Sequence, residues 1–164
     1  MMDEQYITFL IQSLETLFNA KVEKDNNILF VSVSKEKYSA IANYMKKQKF
    51  TRLLTVSAID WIEKEEFEVY FLIHNLEENI YAKISTRIPR NAPEIDSLAS
   101  IWKNSAMHER ETWELFGISF KGNNMLKPLL TENWKGPPPF RKDFNWREYV
   151  KEKYGIAYPS LWKT

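Results

Sequence analysis

Residues able to do chemistry are few in this chain, and most candidate motifs stop one residue short. His108-Glu109 opens like a zinc-protease helix, but position 112 is Thr, so the second imidazole one turn on is missing. Gly117-Ile-Ser-Phe-Lys-Gly122 has the glycine spacing of a phosphate-cradling loop, yet Asn123-Asn124 stands where Lys-Ser/Thr is required. There is no Gly-x-Ser-x-Gly elbow and no cysteine, which removes thiol nucleophiles, disulfides, thiolate zinc sites and iron–sulfur ligation. His74 and His108 are the two histidines; the first reads as a solvent-facing strand residue, the second as a helix-surface or interface residue.

One constellation remains. Glu109 falls on the same helical stripe as Trp102, Trp113 and Phe116, where a carboxylate is costly unless paired or hydrogen-bonded. Arg110 points elsewhere on that helix, so the candidate cations are Arg141 and Lys142, in a tail that can fold back. The expectation is a clamp in which one or more of Glu109, Glu111 and Glu114 accept Arg141 or Lys142. The alternatives are a titrating acid in a proton path and a charge offered to a partner subunit. The strap Gly136-Pro-Pro-Pro-Phe140-Arg141-Lys142-Asp143-Phe144 is held extended by its prolines, which presents those side chains at low entropic cost.

The elements that must position these residues follow from periodicity. Ile7, Leu10, Ile11, Leu14, Leu17 and Phe18 predict an amphipathic helix over 4–19. Asp25-Asn26-Asn27 reads as a turn, 28–33 as a short strand, and Ser34 as the start of a helix to about residue 48. Residues 51–60 read as a strand, and 66–74 and 80–88 as a hairpin pair. In that pair Phe67, Val69, Phe71 and Ile73 face in, and Glu66, Glu68, Tyr70 and His74 face out. A helix over 97–116 ends at Gly117 as a left-handed cap. Beyond residue 121, Pro128, Pro137, Pro138, Pro139 and Pro159 forbid long regular structure, leaving one helical turn near 146–153. The expected fold is α+β: a mostly antiparallel sheet with helices on one face, in the order α-β-α-β-β-β-α, then an extended Pro-rich tail. Residues 1–120 form the expected domain, and 121–164 a basic, aromatic tail docking on it and on partner subunits.

At 164 residues, with 44% hydrophobic and 27% charged, one globular domain is expected, neither disordered nor a membrane span. Residues 1–82 carry 9 basic and 13 acidic side chains, and residues 83–164 carry 14 and 9. Five of the six tryptophans lie beyond residue 100, so the C-terminal third combines basic and aromatic character, as contact surfaces do. The acidic start Met1-Met2-Asp3-Glu4 does not resemble a signal peptide, and Val69–Ile73 is far too short to cross a bilayer.

Glu109-Arg110-Glu111-x-Trp113-Glu114-Leu115-Phe116-Gly117-Ile118-x-Phe120-x-Gly122, then Leu126, Leu129-Leu130, Trp134, Gly136-Pro137 and Arg141-Lys142-Asp143-Phe144, resembles the family of C-type subunits of NADH–quinone oxidoreductase, from the peripheral arm of respiratory complex I. Leu54-Thr55 and Asp60 stand where that family has its strand–Asp pattern. Two departures are clear: the family's Gly-His-Pro after the signature is here Gly122-Asn123-Asn124, and Gly136-Pro-Pro-Pro-Phe140 replaces its Gly-His-Pro-Leu.

The resemblance implies a non-catalytic subunit without flavin, cluster or quinone of its own, the iron–sulfur clusters and other cofactors belonging to partner subunits. It implies packing against a hydrogenase-large-subunit-like subunit of the D type, near a cluster-bearing small subunit of the B type. No nucleic acid is expected, and membrane contact is indirect, from the cytoplasmic side. The interface or clamp set is then Glu109, Arg110, Glu111, Trp113, Glu114, Phe116, Gly117, Trp134, Phe140, Arg141, Lys142, Asp143 and Phe144. The parent complex transfers electrons from NADH or ferredoxin to quinone or another acceptor while translocating ions. A membrane-bound [NiFe] hydrogenase or sulfane reductase complex is the alternative parent. From another class, a free-standing RNA-binding module is disfavoured because Glu66 and Glu68 on the outward strand face repel phosphate.

Overall fold

The computed structural model describes residues 4–155; Met1–Asp3, Pro159 and the remainder of the tail from 156 lie outside the described residues. Helix α1 (Glu4–Phe18) leads into strands β1 (Lys21–Asp25) and β2 (Ile28–Ser32), then helix α2 (Tyr38–Lys47) after a 3-10 turn. Strands β3 (Arg52–Trp61), β4 (Glu66–Asn75) and β5 (Ile80–Pro89) follow, then β6 (Glu94–Asp96), helix α3 (Ser105–Phe116), β7 (Ser119–Lys121) and helix α4 (Trp146–Tyr154).

Five strands form one sheet in the order β1-β2-β5-β4-β3, antiparallel except where β2 lies parallel to β5. Alternation places Phe67, Val69, Phe71 and Ile73 of β4 and Ile80, Ala82, Ile84 and Ile88 of β5 in one apolar cluster with Leu10 and Leu14 of α1 and Ile41 and Met45 of α2. Tyr38 meets Phe71 edge-on, with ring centroids 5.2 Å apart.

Strand β3 carries an irregularity that matters downstream. Its pairing with β4 slips between Leu53 and Thr55, so Leu54 is the extra residue of a bulge. Leu53 points into the core, and after the slip Val56, Ala58 and Asp60 do so, instead of Thr55, Ser57 and Ile59. The bulge thereby turns an acid, Asp60, to the buried side of the sheet.

Several expectations are corrected. Strand β1 was not expected; its sequence is polar but for Val22, and it exists as the charged edge partner of β2. Strands β6 and β7 pair in parallel over three residues each, despite the neighbouring prolines. The helix expected over 97–116 begins only at Ser105, because the preceding chain folds into tight turns that carry the amides of Leu98 and Ala99 onto side-chain acceptors. His74 is not solvent-facing: it is 6% exposed, stacked on Tyr81 at 4.0 Å, with Nε2 3.3 Å from Asn79 Oδ1. Glu68 is not a bare outward charge either, since Lys83 and Arg87 both pair with it, at 3.1 and 3.0 Å.

Candidate subunit interface

Helix α3 and the chain after β7 carry almost every residue of the signature. Glu109 is fully buried, and four donors meet its carboxylate: the Ser97 hydroxyl (2.6 Å), the Leu98 amide (2.6 Å), the Ser105 hydroxyl (3.2 Å) and Asn123 Nδ2 (2.9 Å). All four are neutral. Hydrogen bonds rather than a counter-ion therefore satisfy this buried acid. Asn123 Nδ2 also donates to the Ala106 carbonyl at 3.1 Å, so the residue standing where the family has His supplies an N–H to the same acid.

The chain after Asn123 runs along α3, pinned one helical turn at a time. Arg110 donates from Nε to the Lys127 carbonyl at 2.6 Å and from Nη2 to the Pro128 carbonyl. One turn on, Glu114 accepts the successive amides of Leu129 (2.8 Å), Leu130 (2.9 Å) and Thr131 (2.6 Å), and the Thr131 hydroxyl. Burial alone would raise the Glu114 pKa, but the Thr131 hydroxyl and these amides outweigh it and hold the carboxyl at about 2. Two charged side chains here take the place of a missing strand partner, satisfying carbonyls with a cation and amides with an anion.

At the C-terminal end of α3, Gly117 adopts φ +75° and its amide bonds the Trp113 carbonyl at 2.8 Å, the left-handed cap expected there. A Cβ on Gly117 would lie 2.8 Å from Pro138 and 3.0 Å from Arg141 Nη2, so the glycine also admits the proline strap. The Phe140 amide donates to the Leu115 carbonyl at 3.0 Å, and Arg141 Nε to the Phe116 carbonyl at 2.8 Å. Phe116 stands edge-on to both Phe67 and Phe140. Further along, Trp134, Phe144 and Tyr149 form a mutual ring cluster, with centroids 4.7 to 5.6 Å apart, beside Gly136.

The expected acid–base clamp is corrected in its partners. Among the described residues no ion pair within 4 Å joins Glu109, Glu111 or Glu114 to Arg141 or Lys142; Glu111 is exposed. Asp60, Arg90 and Asp143 bind the tail to the sheet instead. Arg90 grips Asp60 with two bonds (Nε–Oδ1 2.8 Å, Nη2–Oδ2 2.9 Å) and Asp143 with two more (Nη2–Oδ1 2.6 Å, Nη1–Oδ2 3.1 Å). Asp60 also accepts the Lys142 amide at 2.8 Å. Burial pushes the Asp60 carboxyl up, but Arg90 and the Lys142 amide outweigh it and leave its pKa lowered. Arg90 holds Asp143 down too, and its own pKa is raised. Sequence reasoning missed Arg90, which follows Pro89 with no motif around it. Asp60 carried two usable signals, as the one acid in β3 and as the residue standing where the family has its strand–Asp pattern.

The chain matches one family over most of its length. The model of the respiratory-chain NADH dehydrogenase 30 kDa subunit family matches residues 31–150, and the chain belongs to that family. Among relatives, the C-type subunit of F(420)H(2) dehydrogenase from Methanosarcina mazei is 37% identical over 114 residues, covering 68% of this chain and 72% of the relative. The C-type subunit of NADH-quinone oxidoreductase from Novosphingobium aromaticivorans is 26% identical over 155 residues, 93% of this chain but 49% of the relative. This chain thus spans about half the length of that relative, and 58% of the one from Erythrobacter litoralis. Among solved structures, a chain from the membrane-bound sulfane sulfur reductase, an archaeal respiratory membrane complex, superposes with a TM-score of 0.83 at 28% identity, covering 93% of both chains. A trypsin-resistant fragment of Nqo5 shares the fold at a TM-score of 0.66 and 18% identity.

Proposed function

We propose that this chain is the cofactor-free, non-catalytic C-type subunit of the peripheral arm of a complex I-like, ion-translocating membrane oxidoreductase. Its partners are a hydrogenase-large-subunit-like subunit and a cluster-bearing small subunit, which hold the iron–sulfur clusters and other cofactors. It supports their electron transfer from NADH or ferredoxin to quinone or another acceptor from the cytoplasmic side of the membrane. The observation that carries this reading is the likeness to the sulfane reductase chain over 93% of both chains, which leaves little of this fold outside the comparison. That same likeness favours a second reading of the parent, an archaeal-type sulfane reductase or membrane-bound hydrogenase. The chain has no cysteine, so thiolate ligation of an iron–sulfur cluster falls to the partner subunits in this reading. No helix among the described residues is long and apolar enough to cross a membrane, so attachment through partners suits it.

The test is affinity purification of the tagged chain from mildly solubilised native membranes, followed by mass spectrometry. The expected result is co-purification with both partner subunits and with antiporter-like membrane subunits. A chain recovered alone from membranes whose large subunit is intact would refute the proposal. Reduction assays on the recovered complex with NADH and with reduced ferredoxin distinguish the parents.

A further inference from the structure

Arg90, the centre of the Asp60–Arg90–Asp143 junction, also lines a cleft of about 530 Å³ together with Lys64, Glu65, Glu66, Arg87 and Arg141. Its cations are not equally occupied. Arg90 commits its fork to Asp60 and Asp143, and Arg87 pairs with Glu68 and more distantly with Glu66. Arg141 differs. Its Nε is committed to the Phe116 carbonyl and its guanidinium sits 5.3 Å from the Phe67 ring, but among the described residues its two Nη groups have no hydrogen bond and no carboxylate within 4 Å. The proline strap and the missing Cβ of Gly117 hold it in place. This half-buried guanidinium, fixed by its inner nitrogen and its ring contact, lines the open cleft with Nη2 beside Gly117, and its charge helps hold the Asp143 carboxyl down.

We propose that Arg141 is the receptor for one carboxylate side chain, an Asp or Glu on the docked large subunit, making this cleft part of the subunit interface. The chemistry selects a carboxylate over a phosphate. One planar fork matches one carboxylate, whereas a dianion calls for a second free guanidinium, and Arg87 and Arg90 are already paired while Lys64 lies over the Trp61 ring. A docked protein segment also fits the open, polar shape better than a small free acid, which one fork alone holds only weakly. The inference rests on the proposed assembly with a large subunit.

The experiment co-expresses the full chain with that large subunit and measures affinity for wild type, Arg141→Lys and the control Lys21→Ala on the exposed β1 edge. Arg141→Lys keeps the charge but loses the planar fork, and the expected result is binding weaker by about tenfold or more. Lys21→Ala stays within about twofold. Hydrogen exchange on the wild-type complex is the second measurement, with protection expected at residues 64–66 and 87–91 relative to the free chain. Folded Arg141→Lys that binds like wild type overturns the inference, and so does a wild-type complex without that protection. If Arg141→Lys fails to fold, wild-type exchange decides alone. A wild-type chain that does not bind the large subunit removes the functional reading and this inference together, whereas bound wild type with an unprotected cleft removes only the inference.

Discussion

Glu109 shows how a carboxylate survives at zero exposure without a cation: four neutral donors from three chain segments converge on it. Removing the acceptor strands those donors, so Glu109→Ala should lower unfolding free energy by about 3–5 kcal/mol in urea titrations. Asn123 is the informative partner. Asn123→Asp places a second carboxylate against the first, at an expected cost of about 2–4 kcal/mol at pH 7. Asn123→His keeps an N–H donor and should stay within about 1 kcal/mol of wild type. Equal losses for the Asp and His variants would mean that space, not the donor, is what Asn123 provides.

At the scale of elements, α3 organises the chain beside it through Arg110 and Glu114 rather than through a strand. The Glu114 carboxyl sits at about 2 in the folded protein, below its ordinary value. A depressed folded pKa contributes stability that is present above the unfolded value and lost as pH falls through the folded one. Glu114 should therefore contribute about 3 kcal/mol above pH 5, declining to nothing near pH 2. Urea titrations at pH 6, 4 and 2.5 check this, and Glu114→Gln should flatten the profile by that amount. Gly117 ties the same helix to the strap. Gly117→Ala meets both the left-handed φ of +75° and the Pro138 and Arg141 contacts. It should cost more than the roughly 1 kcal/mol of a strained turn alone, and thermal melts should show it.

For the whole molecule, the contrast is between a sheet sealed by two helices and a C-terminal stretch held by side chains. Residues 122–145 contain no strand or helix, and what fixes them is Arg90, Arg110, Glu114 and the ring cluster at Trp134. Trypsin on the free chain should cut first at exposed Lys135, leaving the sheet and α3 intact. The bound large subunit should slow that cut. First cleavage within β4 or β5 would show that the strap is the more stable part. The same arrangement explains why Phe140, Leu130 and Met125 remain exposed, at 57%, 59% and 46%, on an otherwise well-sealed chain.

Period-two alternation over 66–75 and 80–89, and the glycine cap at 117, were legible because local sequence alone determines them: inward residues must be apolar, and φ above zero favours glycine. The tail helix near 146 was legible for a similar local reason, since Asn145 caps it through the amides of Arg147 and Glu148. That the tail folds back on α3 follows from the extended strap and a buried acid that needs partners. Which partners meet was not legible. A carboxylate is satisfied equally well by a guanidinium or by converging amides and hydroxyls, and only the approach of distant segments decides between them. The bulge at Leu54 turned Asp60 inward, Arg90 emerged from the end of β5 to meet it, and the strap delivered Asp143 to the same guanidinium. The sequence by itself determined the family, the β4–β5 hairpin at the centre of the sheet and the helix that carries the signature. Tertiary structure alone decided that Arg90, not Arg141, closes the molecule, because pairing across 30 and 53 residues depends on register and bulge, which no local pattern encodes.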